Sequence, residues 1–272
     1  MRHQPNPITT TSTRSLHWSS ARYRGFSLIE MIVVLGIISI LAAVLFPVFA
    51  KARQGAQRTS CISNLRQIGA GLTQYIQEND EALPASAWGG VASASNNAGA
   101  YKWMDAIFPY VRDEKLFVCP SDTDGKYIYN KKIPTGETSI EYGSYGQNGA
   151  YRSVGDRQTP PRSAVGALVN LSSVAQPSAT VWATDTNNRE EINGSYGFTW
   201  PNADTHPPLT KIEAHRQLDR IVERHLDTTN VLWCDGHASS VKLERLMATK
   251  PVFVSNTLGT LPVMTAFTIE DD

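Results

Sequence analysis

Three groups of residues in this 272-residue chain have the types and spacing to do chemistry. The first is Gly25-Phe26-Ser27-Leu28-Ile29-Glu30, where a lone carboxylate stands at the mouth of an apolar run over 31–50. A cut between Gly25 and Phe26 would give Phe26 a free α-amine, with Glu30 four residues on and so on the same helix face. A carboxylate inside a bilayer costs about 2.5–3.5 kcal/mol on insertion scales. That amine, on the same subunit or a neighbour, is its natural counter-ion. The blander alternative is a Glu30 hydrated at the headgroup level. The second group is His225, nine residues, then Asp235-Gly236, with His215 and His237 nearby. If these side chains converge they are a metal site or a general base. Otherwise His225 opens a hairpin and bonds locally, and Asp235-Gly236 is turn chemistry, which is the reading the residues favour. Neither a serine nucleophile elbow nor His-Glu-x-x-His completes a catalytic set, so no catalytic residue and no metal ligand is assigned. The third group is Cys61, Cys119 and Cys234. One disulfide plus an odd thiol is expected, and spacing does not choose the pair. Without a Cys-x-x-Cys, neither zinc nor thioredoxin-like chemistry is indicated.

These residues need particular elements to hold them. The run 31–50 contains Ser39 as its only clearly polar side chain and no charge, and about 20 apolar residues suffice to cross a bilayer. Beyond Ala50 the chain becomes polar but stays helix-compatible. Cys61, Leu65, Ile68, Leu72, Tyr75 and Ile76 then recur mostly at spacings of three and four, one stripe of an amphipathic helix ending near Asn79. A continuous helix over 26–78 would be about 80 Å long, with Pro47, Gly55, Gly69 and Gly71 as soft points. Residues 83–100 read as a loop and 101–111 as a short helix with Trp103, Ile107 and Tyr110 or Val111 inward. Residues 115–119 read as a brief strand closed by Pro120-Ser121-Asp122. The Gly/Tyr-rich 142–149 reads as a structured connection, 179–184 as a strand ending at Asp185, and 187–208 as a loop. The clearest hairpin pairs 229–234 with 237–243 through Asp235-Gly236, a dipeptide suited to a type I′ turn. The tail from 251 adds a final strand or an extended arm.

Gly25-Phe26-Ser27-Leu28-Ile29-Glu30-Met31 resembles the processing site of type IV prepilins and type II secretion pseudopilins. The resemblance implies cleavage after Gly25 by a prepilin peptidase, N-methylation of Phe26, an assembly role for Glu30 and a helix-loosening Pro47. A second resemblance rests on Cys61-Ile62-Ser63-Asn64-Leu65-Arg66-Gln67-Ile68-Gly69, Phe117-Val118-Cys119-Pro120-Ser121-Asp122, and His225 through Asp235-Gly236-His237. These look like a pilin-like family that joins a prepilin N-terminus to a C-terminal His-x9-Asp-Gly domain. Here Trp233-Cys234 stands before Asp235, which leaves the turn intact and makes a thiol ligand or disulfide there conceivable.

The expected organisation is α+β: a leader over 1–25, a spine helix over 26–79 (transmembrane half 26–50, amphipathic half 51–79), and an antiparallel-sheet head over 80–272. The expected function is a structural subunit of a type IV pilus-like or type II secretion pseudopilus filament, and not an enzyme. The competing class is a membrane-anchored metal-binding module or enzyme using the His225/Asp235 hairpin. Expected partners are the prepilin peptidase/methylase, other pilin or pseudopilin subunits and an inner-membrane assembly platform. The precursor is expected in the bacterial inner membrane, and the mature subunit in a periplasmic or cell-surface filament. No cofactor is expected, with structural calcium at Asp122-Thr123-Asp124-Gly125 the one candidate. That run is short for an EF-hand and lacks its downstream Glu.

Charge agrees with this plan. Basic and acidic residues balance at 25 each, but the first 25 residues hold Arg2, Arg14, Arg22 and Arg24 and no acid. Without them 21 basic residues face 25 acidic ones. A basic segment before the apolar run keeps the leader cytoplasmic, and no basic stripe beyond it supports nucleic-acid binding. Ala50-Lys51-Ala52 has the small-x-small form of a signal-peptidase site, but the apolar run is long for such a signal and Lys51 is awkward in the motif.

Overall fold

The computed structural model describes residues 26–85, 87–88, 101–130, 143–149, 161, 163, 168–187, 195–196, 221–255 and 259–269. The leader, His215 and nearly all of the 187–208 loop lie outside these. The chain divides into two compact units, one ending at Val48 and one beginning at Phe49.

The N-terminal unit is the first part of helix α1, Leu28–Glu78. Its large apolar side chains, from Phe26 through Leu45 and Phe46, are exposed all round. Such a helix has no apolar stripe because it has no polar face, the pattern of a segment that lipid or partner helices must cover. It contains a stretch long and apolar enough to cross a membrane. The α-helix runs through Pro47.

The second unit begins within α1, where the expected stripe is realised. Cys61, Leu65, Ile68, Leu72 and Ile76 are all buried. They form one core cluster with Trp103, Ile107, Phe117, Tyr145, Trp182 and Leu232. Gly69 and Gly71 correct the expectation of soft points. Both are buried inside unbroken helix, and each is a place where another element approaches the backbone. A Cβ at Gly71 would lie 2.7 Å from Val111 Cγ1.

After α1 come β1 (Ala87–Trp88), β2 (Tyr101–Lys102) and α2 (Trp103–Val111), whose Trp103 and Ile107 are buried as expected. The next segment departs from expectation: Glu114–Phe117 is a 3-10 helix, not a strand. Asp113 caps it by accepting from the Lys115 amide, and this local bond competes with extended structure. The central sheet contains β3 (Tyr145–Asn148), β4 (Val181–Asp185), β5 (Ser195–Tyr196), β6 (Thr229–Trp233) and β7 (Ala238–Val241), in the order β5-β3-β4-β6-β7. Pairings β3/β4, β4/β6 and β6/β7 are antiparallel and β3/β5 is parallel. The Gly/Tyr-rich connection is thus a buried sheet strand. It was hidden because Tyr145, Gly146, Gln147 and Asn148 do not alternate apolar with polar.

The sheet buries both faces. Along β6 and the residue after it, Leu232 and Cys234 join the core under α1, while Val231 and Trp233 join a second cluster. Period-two alternation requires this. A register shift between Val181 and Ala183 lets Trp182 and Ala183 face the same core. The second cluster is closed by α3 (Leu243–Leu246) and by Met264 and Phe267. The tail supplies more than one strand: β8 (Thr249–Ser255) and β9 (Gly259–Met264) form an antiparallel hairpin.

The Asp-Gly hairpin exists, with a different turn. Trp233 N–H donates to His237 O at 2.9 Å, and Gly236 N–H donates to Trp233 O at 3.0 Å. Gly236 has φ +88°, whereas Asp235 is not among the positive-φ residues. A two-residue type I′ turn needs both positive. This is the three-residue alternative, a turn followed by one left-handed glycine.

Candidate functional site

At the N-terminus, Ser27 N–H donates to Glu30 Oε2 at 2.8 Å. The Glu30 carboxylate thus covers one of the donors that every helix start leaves open. Phe26 is 77% exposed and lies immediately before this cap, so an amine created there would stand at the same helix end.

In the head, the three cysteines resolve. Cys61, on α1, is disulfide-bonded to Cys119, just after the 3-10 helix, and Cys234 is a free buried thiol. His225 meets this bond: its Nε2 is 3.3 Å from Cys119 Sγ and 4.0 Å from Asp185 Oδ2, and it is fully buried. A tight turn presents it there. His225 N–H donates to Thr228 O and Thr228 N–H to His225 O. The two residues between, Leu226 and Asp227, have φ of 52° and 57°, the type I′ signature expected instead at Asp235-Gly236.

Arg224 anchors the surroundings. Its Nη2 donates to Asp122 Oδ2 at 3.0 Å and to Thr186 O at 2.6 Å, and its Nη1 donates to Ser144 O at 3.0 Å. Nη1 also lies 3.6 Å from Asp185 Oδ1. Asp122, weighed above as a calcium ligand, is thereby an ion-pair partner of Arg224. Asp185 Oδ2 accepts from Asn230 N–H at 2.8 Å. Burial pushes the Asp185 carboxyl up to about 7, outweighing the Asn230 amide and the Arg224 guanidinium, which favour its charged form. Burial also pulls His225 down to about 4, with Arg224 and then Arg58 adding to the shift. At neutral pH the imidazole is uncharged.

The structure does not bring His225 together with Asp235 and His237. The five-residue β6 separates the two turns, roughly 15 Å of extended chain. Asp235 instead pairs with His237, Oδ1 to Nδ1 at 2.5 Å, in a partly exposed turn where His237 stacks on Trp233. The reading in which His225 converges with Asp235 and His237 loses its geometry, and His215 lies outside the described residues. What the two ends share is the spine helix. The His225 end abuts the disulfide to Cys61. The Gly236 end lies on α1, where a Cβ at Gly69 would run into the Gly236 carbonyl oxygen and sit 2.8 Å from Leu232 Cδ1. Arg58, one turn before Cys61 on α1, donates through Nε to Ser240 Oγ of β7 at 2.9 Å. The hairpin acts as a clamp on the helix. Asp185 and Arg224 were missed as members of this centre. The only trace of Arg224 in the sequence is a cation beside His225 at the entrance to a buried strand.

Residues 20–46 match the family described as Prokaryotic N-terminal methylation motif. Residues 50–117 match the family described as Protein of unknown function (DUF1559). Both ranges end before His225, Asp235 and Gly236. A 61-residue stretch is 36% identical to ComG operon protein 3 homolog of Bacillus licheniformis, covering 22% of this chain and 63% of that protein. The chain thus spans less than two thirds of the length of this curated relative. No solved structure matches. The methylation-motif match and the long apolar helix that follows it give this chain a type IV prepilin-like N-terminus, on an α+β layout.

Proposed function

We propose that this chain is the membrane-inserted precursor of a filament subunit, cut after Gly25 by a prepilin peptidase and methylated on the Phe26 amine. Residues 1–25 are the leader, 26–79 the spine and 80–272 the head. The observation that carries the reading is the apolar, fully exposed start of α1 with Glu30 as its one acid, within the matched methylation motif. Lipid covers this surface before assembly and neighbouring helices cover it afterwards. Glu30 holds the Ser27 amide through one oxygen, and a carboxylate has acceptor capacity to spare. In a polymer it pairs with a neighbour's Phe26 amine, and Pro47, which lacks an amide hydrogen, gives the helix a bending point there. Partners are therefore other pilin-like subunits and an assembly platform in the inner membrane, with the filament in the periplasm or on the cell surface. No catalytic role is assigned to the head.

Mass spectrometry of the native protein is expected to find methylated Phe26 as first residue; intact Met1 or a start at Arg53 in exported protein would refute the processing. Breaking a buried charge pair costs about 3–5 kcal/mol. Glu30→Ala is therefore expected to abolish or sharply reduce polymer while cleavage continues. Normal filaments from that variant would exclude the pairing.

A further inference from the structure

The centre around His225 contains more than a disulfide needs. Cys61 Sγ, Cys119 Sγ and His225 Nε2 all lie within 4.8 Å of one another, and all three residues are fully buried. They come from three separate places: α1, the chain after the 3-10 helix, and the turn before β6. With the disulfide closed, the imidazole is poorly satisfied. Among the described residues its Nε2 has only the Cys119 sulfur at hydrogen-bond distance, a weak acceptor. Its Nδ1 has no hydrogen-bond partner among the described residues. A buried nitrogen facing only a weak acceptor is under-satisfied, so the Nε2 side of the ring suits a second occupant.

We propose that the Cys61/Cys119/His225 set is a site for a soft divalent metal of the zinc type when the two cysteines are reduced. Disulfide and metal are then alternative occupants of one centre. A dithiol reductant opens the bond, becoming a disulfide itself as Cys61 and Cys119 gain two electrons and two protons. Metal binding then releases both thiol protons to solvent. Two thiolates neutralise the metal's two charges, so the site stays neutral in its buried surroundings. His225 ligates through unprotonated Nε2, with its hydrogen on Nδ1. The fourth position of a tetrahedral site is left to water or another small ligand, since Asp185, with Oδ2 4.0 Å from Nε2 and already accepting from Asn230 N–H, stands outside the three-residue cluster. An oxidising compartment favours the disulfide; a reducing one favours the metal. The 57 residues separating the two cysteines disguise the site from any motif based on spacing.

The test uses the full chain in detergent micelles, reduced in denaturant and refolded without oxygen in the presence of cobalt(II). The expected result is one equivalent of bound cobalt with the visible absorption of a tetrahedral thiolate complex, displaced by zinc. His225→Ala is expected to weaken binding more than about tenfold, and Cys119→Ser to abolish the thiolate bands. Cys234→Ser is expected to leave both unchanged. Helical circular dichroism and tryptophan fluorescence monitor refolding of every variant. A reduced chain that folds without taking up metal would overturn the proposal. So would one that stays unfolded with metal present, or metal bound equally by His225→Ala.

Discussion

One helix passes through two different physical regimes. Up to Val48 it is apolar on every side and its large side chains are exposed; from Cys61 to Ile76 it buries a narrow stripe and keeps its other faces polar. The backbone is the same α-helix in both. What differs is where the missing cover comes from. The second half carries its cover in its own chain, as α2, the sheet and the His225–Gly236 hairpin. The first half finds none among the described residues. Substitutions in the two halves should therefore fail in different assays.

The largest effect expected in the second half is loss of the disulfide. It closes a sequence separation of 58 residues, for which the chain-entropy relation gives about 4 kcal/mol. Cys61→Ala/Cys119→Ala should lower the head's unfolding free energy by that order, measured by denaturant titration of the detergent-solubilised chain in metal-free buffer. Next is a paired test of the comparison itself. Leu72→Ala, at a fully buried position, should cost about 2–5 kcal/mol of head stability. Leu41→Ala, at a 64% exposed position, should leave head unfolding within about 0.5 kcal/mol of wild type. Equal losses from both would erase the distinction. Gly69→Ala comes third. Its methyl meets the Gly236 carbonyl, and overpacking of this kind costs about 1–3 kcal/mol. A neutral result would mean that the turn does not clamp the helix.

The smallest expected effect concerns pH, in the disulfide-closed chain. His225 is depressed to about 4 when folded, against an ordinary value near 6.5. Between those values the unfolded chain holds the extra proton, so this group makes stability fall as pH falls. Asp185 is raised to about 7, so below that value the folded chain holds the extra proton and stability falls as pH rises. The slopes oppose each other between about pH 4 and 6.5 and nearly cancel. Asp185→Asn should expose the first slope and His225→Gln the second, in thermal unfolding scans across this range. Parallel pH profiles for the two variants would contradict the assignment.

Much of this molecule is written locally. The apolar run after Glu30, the helical spacing from Cys61 to Ile76 and the alternation along β6 each follow from side-chain chemistry within one turn or one strand. A single element's burial depends on its own pattern, which is why the spine, the hairpin and the α+β class were legible. Where an element's residues lacked a pattern the reading failed. The buried strand at Tyr145–Asn148 is polar and glycine-containing, and the 3-10 turn at Glu114–Phe117 is held by a cap at Asp113.

The sequence by itself determined the prepilin-like N-terminus, because methylation motif, acid and apolar run are contiguous and need no folding to coexist. Only the tertiary structure decided which cysteines pair, that Asp185 and Arg224 surround His225, and that His225 and Asp235 part company. Those outcomes depend on contacts between residues 40 to more than 100 positions apart, and no local spacing encodes the closure of such loops.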